Sequence, residues 1–253
     1  GRMPVANVRR EGTGSPAPRH SDNTTAGPFG GAARYTHPMP RWLAHLIVVA
    51  VFAACIALAF TRINYAWNWA AVWDYRQKFI QGWWITVGLS LAALLASGLI
   101  GGLVALMLRS RSVLIAAVAR VYVELIRGTP LLVQLLIGFY VVASAVGLDN
   151  RYVVGVLVLG LFSGAYMAEI FRGGLDAIPR TQIDSARAIG LSPAQTLRLV
   201  VLPQAVRIVL PAVAGQLVSL IKDSSLLSVI AISEFTLNAQ EVNSFTYSTL
   251  ESY

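Results

Sequence analysis

Apolar residues run along the chain in long blocks separated by short polar breaks. The blocks cover Trp42 to about Phe60, Gly82 to Leu108, Pro130 to Leu148, Tyr152 to Phe171 and Val206 to Ile221. A helix needs about 20 apolar residues to cross a hydrocarbon core of roughly 30 Å. The pattern therefore predicts an all-α fold, a polytopic transmembrane helical bundle. Between the second and third blocks, Arg120, Glu124 and Arg127 stand four and three residues apart on one helical face, with Val, Leu and Ile on the others. That segment reads as a helix at the membrane interface or as the wet end of a tilted span. A mildly apolar stretch follows Lys222-Asp223-Ser224-Ser225 up to Ile232, and the chain then turns polar to Tyr253.

Composition supports the membrane reading. Hydrophobic residues make up 56% of the 253 and charged ones 13%, against about 25% charged in soluble domains. A net charge of +8 could suit nucleic acid, but the basic residues gather between apolar blocks and not along one polar face. Fifteen of the twenty fall in the stretch up to Arg41 and in segments 109–127 and 172–207. By the positive-inside rule these regions face the cytoplasm. Residues 1–40, rich in Gly, Pro, Ser and Thr, read as a disordered cytoplasmic tail. The first block reads as a retained helix and not a signal peptide, because no small-residue cleavage site stands near Thr61. Trp67, Trp69, Trp73, Trp83 and Trp84 suggest an interfacial belt. Gly98-x-x-x-Gly102 is a spacing at which a second helix can approach closely. The single cysteine, Cys55, reads as a small core residue. His20, His37 and His45 have no metal-ligand spacing, and no nucleophile–base arrangement is evident.

The segment Thr181–Pro203 reads as two short helices joined by a sharp break. Thr181 can cap the first, and Gly190 stands where a left-handed residue would end it. Ser192 then caps the second, with Pro193 at the first helical position and Gln195 completing a capping box. Pro203 is expected to interrupt that helix as the next apolar block begins. An ordinary connecting loop is the plainer alternative. A hook with small Ala186 and Ala188 on its first arm suits docking into a partner's groove.

This hook resembles the EAA loop of importer-type ABC permeases, here as Gln182, Asp184-Ser185-Ala186, Gly190 and Leu202-Pro203. Four further phrases resemble the polar amino acid branch of that MetI-like family, which takes up histidine, glutamine, arginine and opines. They are Glu124–Gln134, Ala165–Gly174, Leu202–Arg207 and Lys222–Leu226, and the resemblance covers about Gly82 to Ile232. It implies a MetI-like ABC permease fold in a bacterial inner membrane, working by alternating access. The implied partners are a second, identical or different permease, two cytosolic ATPase subunits, a periplasmic solute-binding protein, membrane lipid and an amino-acid substrate. ATP–Mg would sit on the partner ATPase, since this chain has no Gly-x-x-x-x-Gly-Lys-Ser/Thr loop and is expected to bind no cofactor and to be no enzyme. The implied organisation is a tail (1–40), an extra helix with a Trp-rich connector (41–81) and a permease domain (82–253) with its coupling loop at 172–205. Asp184 stands for the family's usual Glu, Thr181 for a common Gly and Gly215 for a frequent Asn. The last family helix is expected to lie beyond Tyr253, which makes the chain look like a fragment.

Gln134, Ser163 and Tyr166 are candidates to line a substrate pathway, with Glu169 and Lys222. Helix–helix hydrogen bonds are the alternative for the first three, a local pair with Arg172 for Glu169, and an interfacial cap for Lys222 together with Asp223. An ATP-independent secondary transporter or channel is the second functional reading. It would need internal repeats around a midplane site, and none is convincing. A membrane enzyme or anchor is the third, and no catalytic constellation supports it.

Overall fold

The computed structural model describes residues 40–62, 65 and 67–253. The expected tail, apart from Pro40, lies outside the described residues, as do His20 and His37. Two compact units divide after Tyr65. The first holds α1 (Arg41–Arg62), an apolar helix ending on a basic residue. At about 1.5 Å per residue it is long enough to span a bilayer. Cys55 is exposed on it, so the expectation of a core cysteine is corrected: within this unit α1 is a single apolar helix, with no second helix to bury the thiol.

The second unit contains α2 (Trp69–Asp74), α3 (Arg76–Leu108), α4 (Val113–Gly128) and α5 (Leu131–Leu136), which continues as a π-helical segment, Ile137–Ala143. Then come α6 (Arg151–Asp176), α7 (Arg180–Ala188), α8 (Pro193–Thr196) and α9 (Leu202–Asp223), with π-helical Leu197–Val201 joining the last two. A 3₁₀ segment, Ser224–Ile230, leads to α10 (Phe235–Thr246) and α11 (Thr249–Ser252). Among the described residues four helical stretches are long and apolar enough to cross a membrane, and a fifth arises if α4 and α5 count as one span bent by 109°. The bend falls where sequence dictates. Thr129 precedes Pro130 and is forced into extended backbone, φ −118° and ψ 145°.

α3 and α6 run parallel and close. A Cβ on Gly101 would meet Met167 Cβ at 2.5 Å and the Ala168 nitrogen at 2.9 Å, while one on Gly160 would meet Ala96 Cβ at 2.9 Å. The Gly98/Gly102 expectation is therefore corrected, because Gly98 has open space around it and Gly102 only a loose neighbour at 4.0 Å. The small-residue face is one position removed, at Gly101 and at Ala93 and Ser97, both fully buried. Leu89, Leu159, Leu220 and Ile232 close one buried cluster, and Val104, Ala119, Val123 and Ala168 close another.

Two boundaries also move. α3 starts at Arg76, six residues before the apolar block, because its polar first turns have partners on α10. Lys78 pairs with Glu241 at 2.5 Å, and Asn238 Nδ2 donates to the Lys78 carbonyl at 2.9 Å. Pro203 does not interrupt its helix. The π-helical turn Leu197–Val201 runs directly into α9, and this wider turn takes up the proline without a break in the helix.

Candidate functional site

The hook is built from its caps. Gly190 adopts φ +87°, and its N–H donates to the Arg187 carbonyl at 2.9 Å while Leu191 N–H reaches Ala186 O at 3.1 Å. These bonds end α7 as a left-handed glycine should. The Ser192 box is complete: Gln195 N–H donates to Ser192 Oγ at 3.3 Å, and Ser192 N–H to Gln195 Oε1 at 2.9 Å. The Thr181 cap is corrected. Pro179 is the N-cap residue, without a side-chain bond, and Thr181 lies inside the first turn. Gln182, Asp184 and Ser185 are exposed, whereas Ala186 is buried. Leu202 and Pro203 are exposed where the hook joins α9, and Ile189 projects at its tip, 78% exposed. The result is a small, rigid knob with an apolar tip, a carboxylate at Asp184 and cations at Arg180 and Arg187.

A second feature lies between α6 and α9, which run antiparallel. Gly174 approaches Val209 and Ala205, and a cleft of about 370 Å³ opens toward the other end. It is lined by Phe162, Tyr166, Gln216, Ser219, Lys222 and Asp223. Tyr166 and Lys222 are thus brought together, as the sequence suggested. Glu169 stands one turn along the same α6 stripe and accepts from Arg172 at 2.6 Å, so the local pair anticipated from sequence is formed. Gln134 and Ser163 do not line this cleft. Gln134 Nε2 donates to the Ile126 carbonyl at 2.7 Å and to Thr129 Oγ1 at 2.7 Å, and its side chain borders a separate apolar cavity of about 530 Å³ beside α5. Ser163 is fully buried, and its hydroxyl has no partner among the described residues.

Sequence reasoning missed Gln216 and Ser219, and read Asp223 with Lys222 as an interfacial cap. The signal was present: Gln216 and Ser219 are polar residues inside the apolar block, Asp223 follows at its end, and 216, 219 and 223 fall three and four apart, on one helical face. An ammonium, a carboxylate, an amide and a hydroxyl beside two aromatic rings complement a small zwitterion, whose carboxylate and ammonium need opposite charges close together. Among the described residues no group of His, Cys, Asp and Glu could hold a metal ion.

Comparisons with known proteins converge. Residues 97–250 match the family described as "Binding-protein-dependent transport system inner membrane component". The chain is 37% identical over 188 residues to the glutamine transport system permease protein GlnP of Escherichia coli, covering 73% of this chain and 85% of that one. It is 32% identical over 210 residues to the arginine transport system permease protein ArgU of Corynebacterium glutamicum, covering 78% of this chain and 66% of the relative. It is 38% identical over 176 residues to the nopaline transport system permease protein NocM of Agrobacterium fabrum, with 66% and 73% covered. Among solved structures, an amino acid ABC transporter crystallised with histidines superposes with a TM-score of 0.69 at 35% identity, covering 75% of this chain and 88% of that chain. The methionine transporter MetNI, at 20% identity, TM-score 0.55 and 68% and 82% coverage, shares the fold.

Proposed function

The chain belongs to the family of binding-protein-dependent transport system inner membrane components, and from that premise we propose that it carries polar amino acids through the cleft between α6 and α9. It is a membrane-spanning permease subunit of an ATP-binding cassette importer, and ATP hydrolysis belongs to a separate subunit. We assign the hook, from Gln182 through Asp184, Ser185, Ala186 and Gly190 to Leu202-Pro203, to docking the cytosolic ATPases, two per complex. A second permease, identical or different, completes the pathway, and a periplasmic binding protein delivers the solute. ATP-driven closure of the ATPases would push on the hook and switch the pore between its two faces. The protein would sit in the bacterial inner membrane with the hook in the cytoplasm.

The single observation that carries the substrate reading is the cleft itself, which Lys222 and Asp223 line together with Tyr166. Lys222 would hold the substrate carboxylate and Asp223 its ammonium. The glutamine, arginine and nopaline named for the relatives all carry an α-carboxylate beside an α-nitrogen. The test is uptake of labelled glutamine and arginine into proteoliposomes holding this permease with its ATPase and binding protein. Lys222→Met and Asp223→Asn should each reduce uptake at least tenfold while leaving complex assembly intact. Wild-type uptake by both variants would sink the reading.

A further inference from the structure

We infer that Arg127 is a positioning residue for the amino-acid cleft, acting through Tyr166; the inference rests on the cleft reading above. Arg127 is the last charged residue of α4 before the bend, and its guanidinium carbon stands 5.1 Å from the centre of the Tyr166 ring. Among the described residues it forms no ion pair. A cation that takes a ring as its partner holds that ring's orientation, because the attraction depends on the charge lying over the ring face. Tyr166 in turn packs on Phe162, ring centres 5.3 Å apart, and both rings wall the cleft with Lys222 and Asp223.

The bend aims Arg127. The last carbonyls of α4 have no intrahelical donors, a costly state inside a membrane protein. Gln134, one turn into α5, reaches back to supply them. Its Nε2 donates to Ile126 O at 2.7 Å, to Thr129 O at 3.1 Å and to Thr129 Oγ1 at 2.7 Å. Thr129 Oγ1 then donates to Leu125 O at 2.8 Å. Both neighbours of the Arg127–Gly128 pair are thereby tied, and the guanidinium stays over the ring. A movement of α4 relative to α5 would release the ring and reshape the wall that the substrate meets. Gln134, expected from sequence to face substrate, acts instead two contacts away from it.

Uptake kinetics in proteoliposomes with the complete importer, using labelled glutamine and arginine as probes, separate this role from a structural one. Arg127→Met keeps the aliphatic stem and removes the cation, and should raise KM roughly three- to tenfold with the maximal rate unchanged. Arg127→Lys retains a cation over the ring and should stay within about twofold of wild type. Added to Tyr166→Leu, Arg127→Met should raise KM no further. The inference is overturned if Arg127→Met leaves KM unchanged, lowers only the maximal rate, or has its full effect in the Tyr166→Leu background. Should Arg127→Met not assemble, Arg127→Gln, which also removes the cation, against Tyr166→Leu gives the same cycle. If Lys222→Met transports like wild type, the cleft reading fails instead, so the two failures are distinct.

Discussion

Glu234 is buried at the start of α10, where its carboxylate accepts the N–H groups of Thr236 at 2.8 Å and Leu237 at 2.7 Å. Burial pushes its pKa above the ordinary carboxylate value, and those hydrogen bonds with the Thr86 hydroxyl offset only part of the shift. A raised folded pKa means that the folded protein binds the proton more tightly than the unfolded chain does. The associated stability is complete below the ordinary carboxylate pKa and is lost as pH rises through the folded one. Thermal unfolding of wild type and Glu234→Gln across pH 4 to 8 isolates this term. The wild-type advantage should be flat at the acid end and shrink as pH rises, and a difference that grows with pH would refute it. The Thr86 contact was not legible in sequence, because that hydroxyl comes from α3, 149 residues before Phe235. Ser192 and Gln195, by contrast, cap a helix with partners three residues away, which a sequence displays directly.

At the scale of elements, the hook and the α3–α6 pair make opposite demands on glycine. Gly190 needs a left-handed backbone, at φ +87°. A β-branched side chain there costs about 1–2 kcal/mol and distorts the tip. Gly190→Val should therefore leave membrane insertion intact while uncoupling ATP hydrolysis from uptake in the reconstituted importer; Gly190→Asn, which tolerates that backbone better, should retain more coupling. Equal coupling in both variants would count against the hook as the transmission element. Gly101 needs space instead, since a Cβ would strike Met167 and Ala168. Gly101→Leu should destabilise the bundle by about 1–3 kcal/mol or more, read as a lower unfolding temperature in detergent. Gly98→Leu should change it little. Sequence identified a glycine-bearing face on this helix but not the right one. Gly98, Gly101 and Gly102 differ only in which neighbour they meet, and the neighbour is an element some sixty residues on. The spans themselves were readable because lipid imposes an apolar block wherever a helix crosses. The α10–α11 segment was not, because its polar sequence is anchored by Lys78 and Thr86 rather than by its own periodicity.

For the whole molecule, the parallel course of α3 and α6 and the antiparallel course of α9 sort the second unit into two ends. One end gathers Arg109 and Asp176, paired at 2.6 Å, with Arg172 and the hook. The other gathers Lys78, Arg151 and α10, with Arg151 donating to the Ala231 carbonyl at 2.8 Å. Segments 109–120 and 172–207, which belong to the hook end, hold eight basic residues, whereas the other end has Arg76, Lys78, Arg151 and Lys222. The positive-inside rule weighs such loops close to span ends, so the imbalance should place the hook in the cytoplasm. The single native thiol, Cys55, makes this straightforward to measure. With Cys55→Ser as background, Ser244→Cys and Ala194→Cys put one exposed thiol on α10 and one on the hook. A membrane-impermeant maleimide should label the α10 thiol in cells with a permeabilised outer envelope, and the hook thiol only after the inner membrane is opened. The reverse pattern would invert the topology and remove the hook from reach of any cytosolic ATPase, whatever the cleft binds. Equal labelling of both before the membrane is opened would mean that the two ends do not lie on opposite faces, and the antiparallel assignment of α9 would then have to be redrawn.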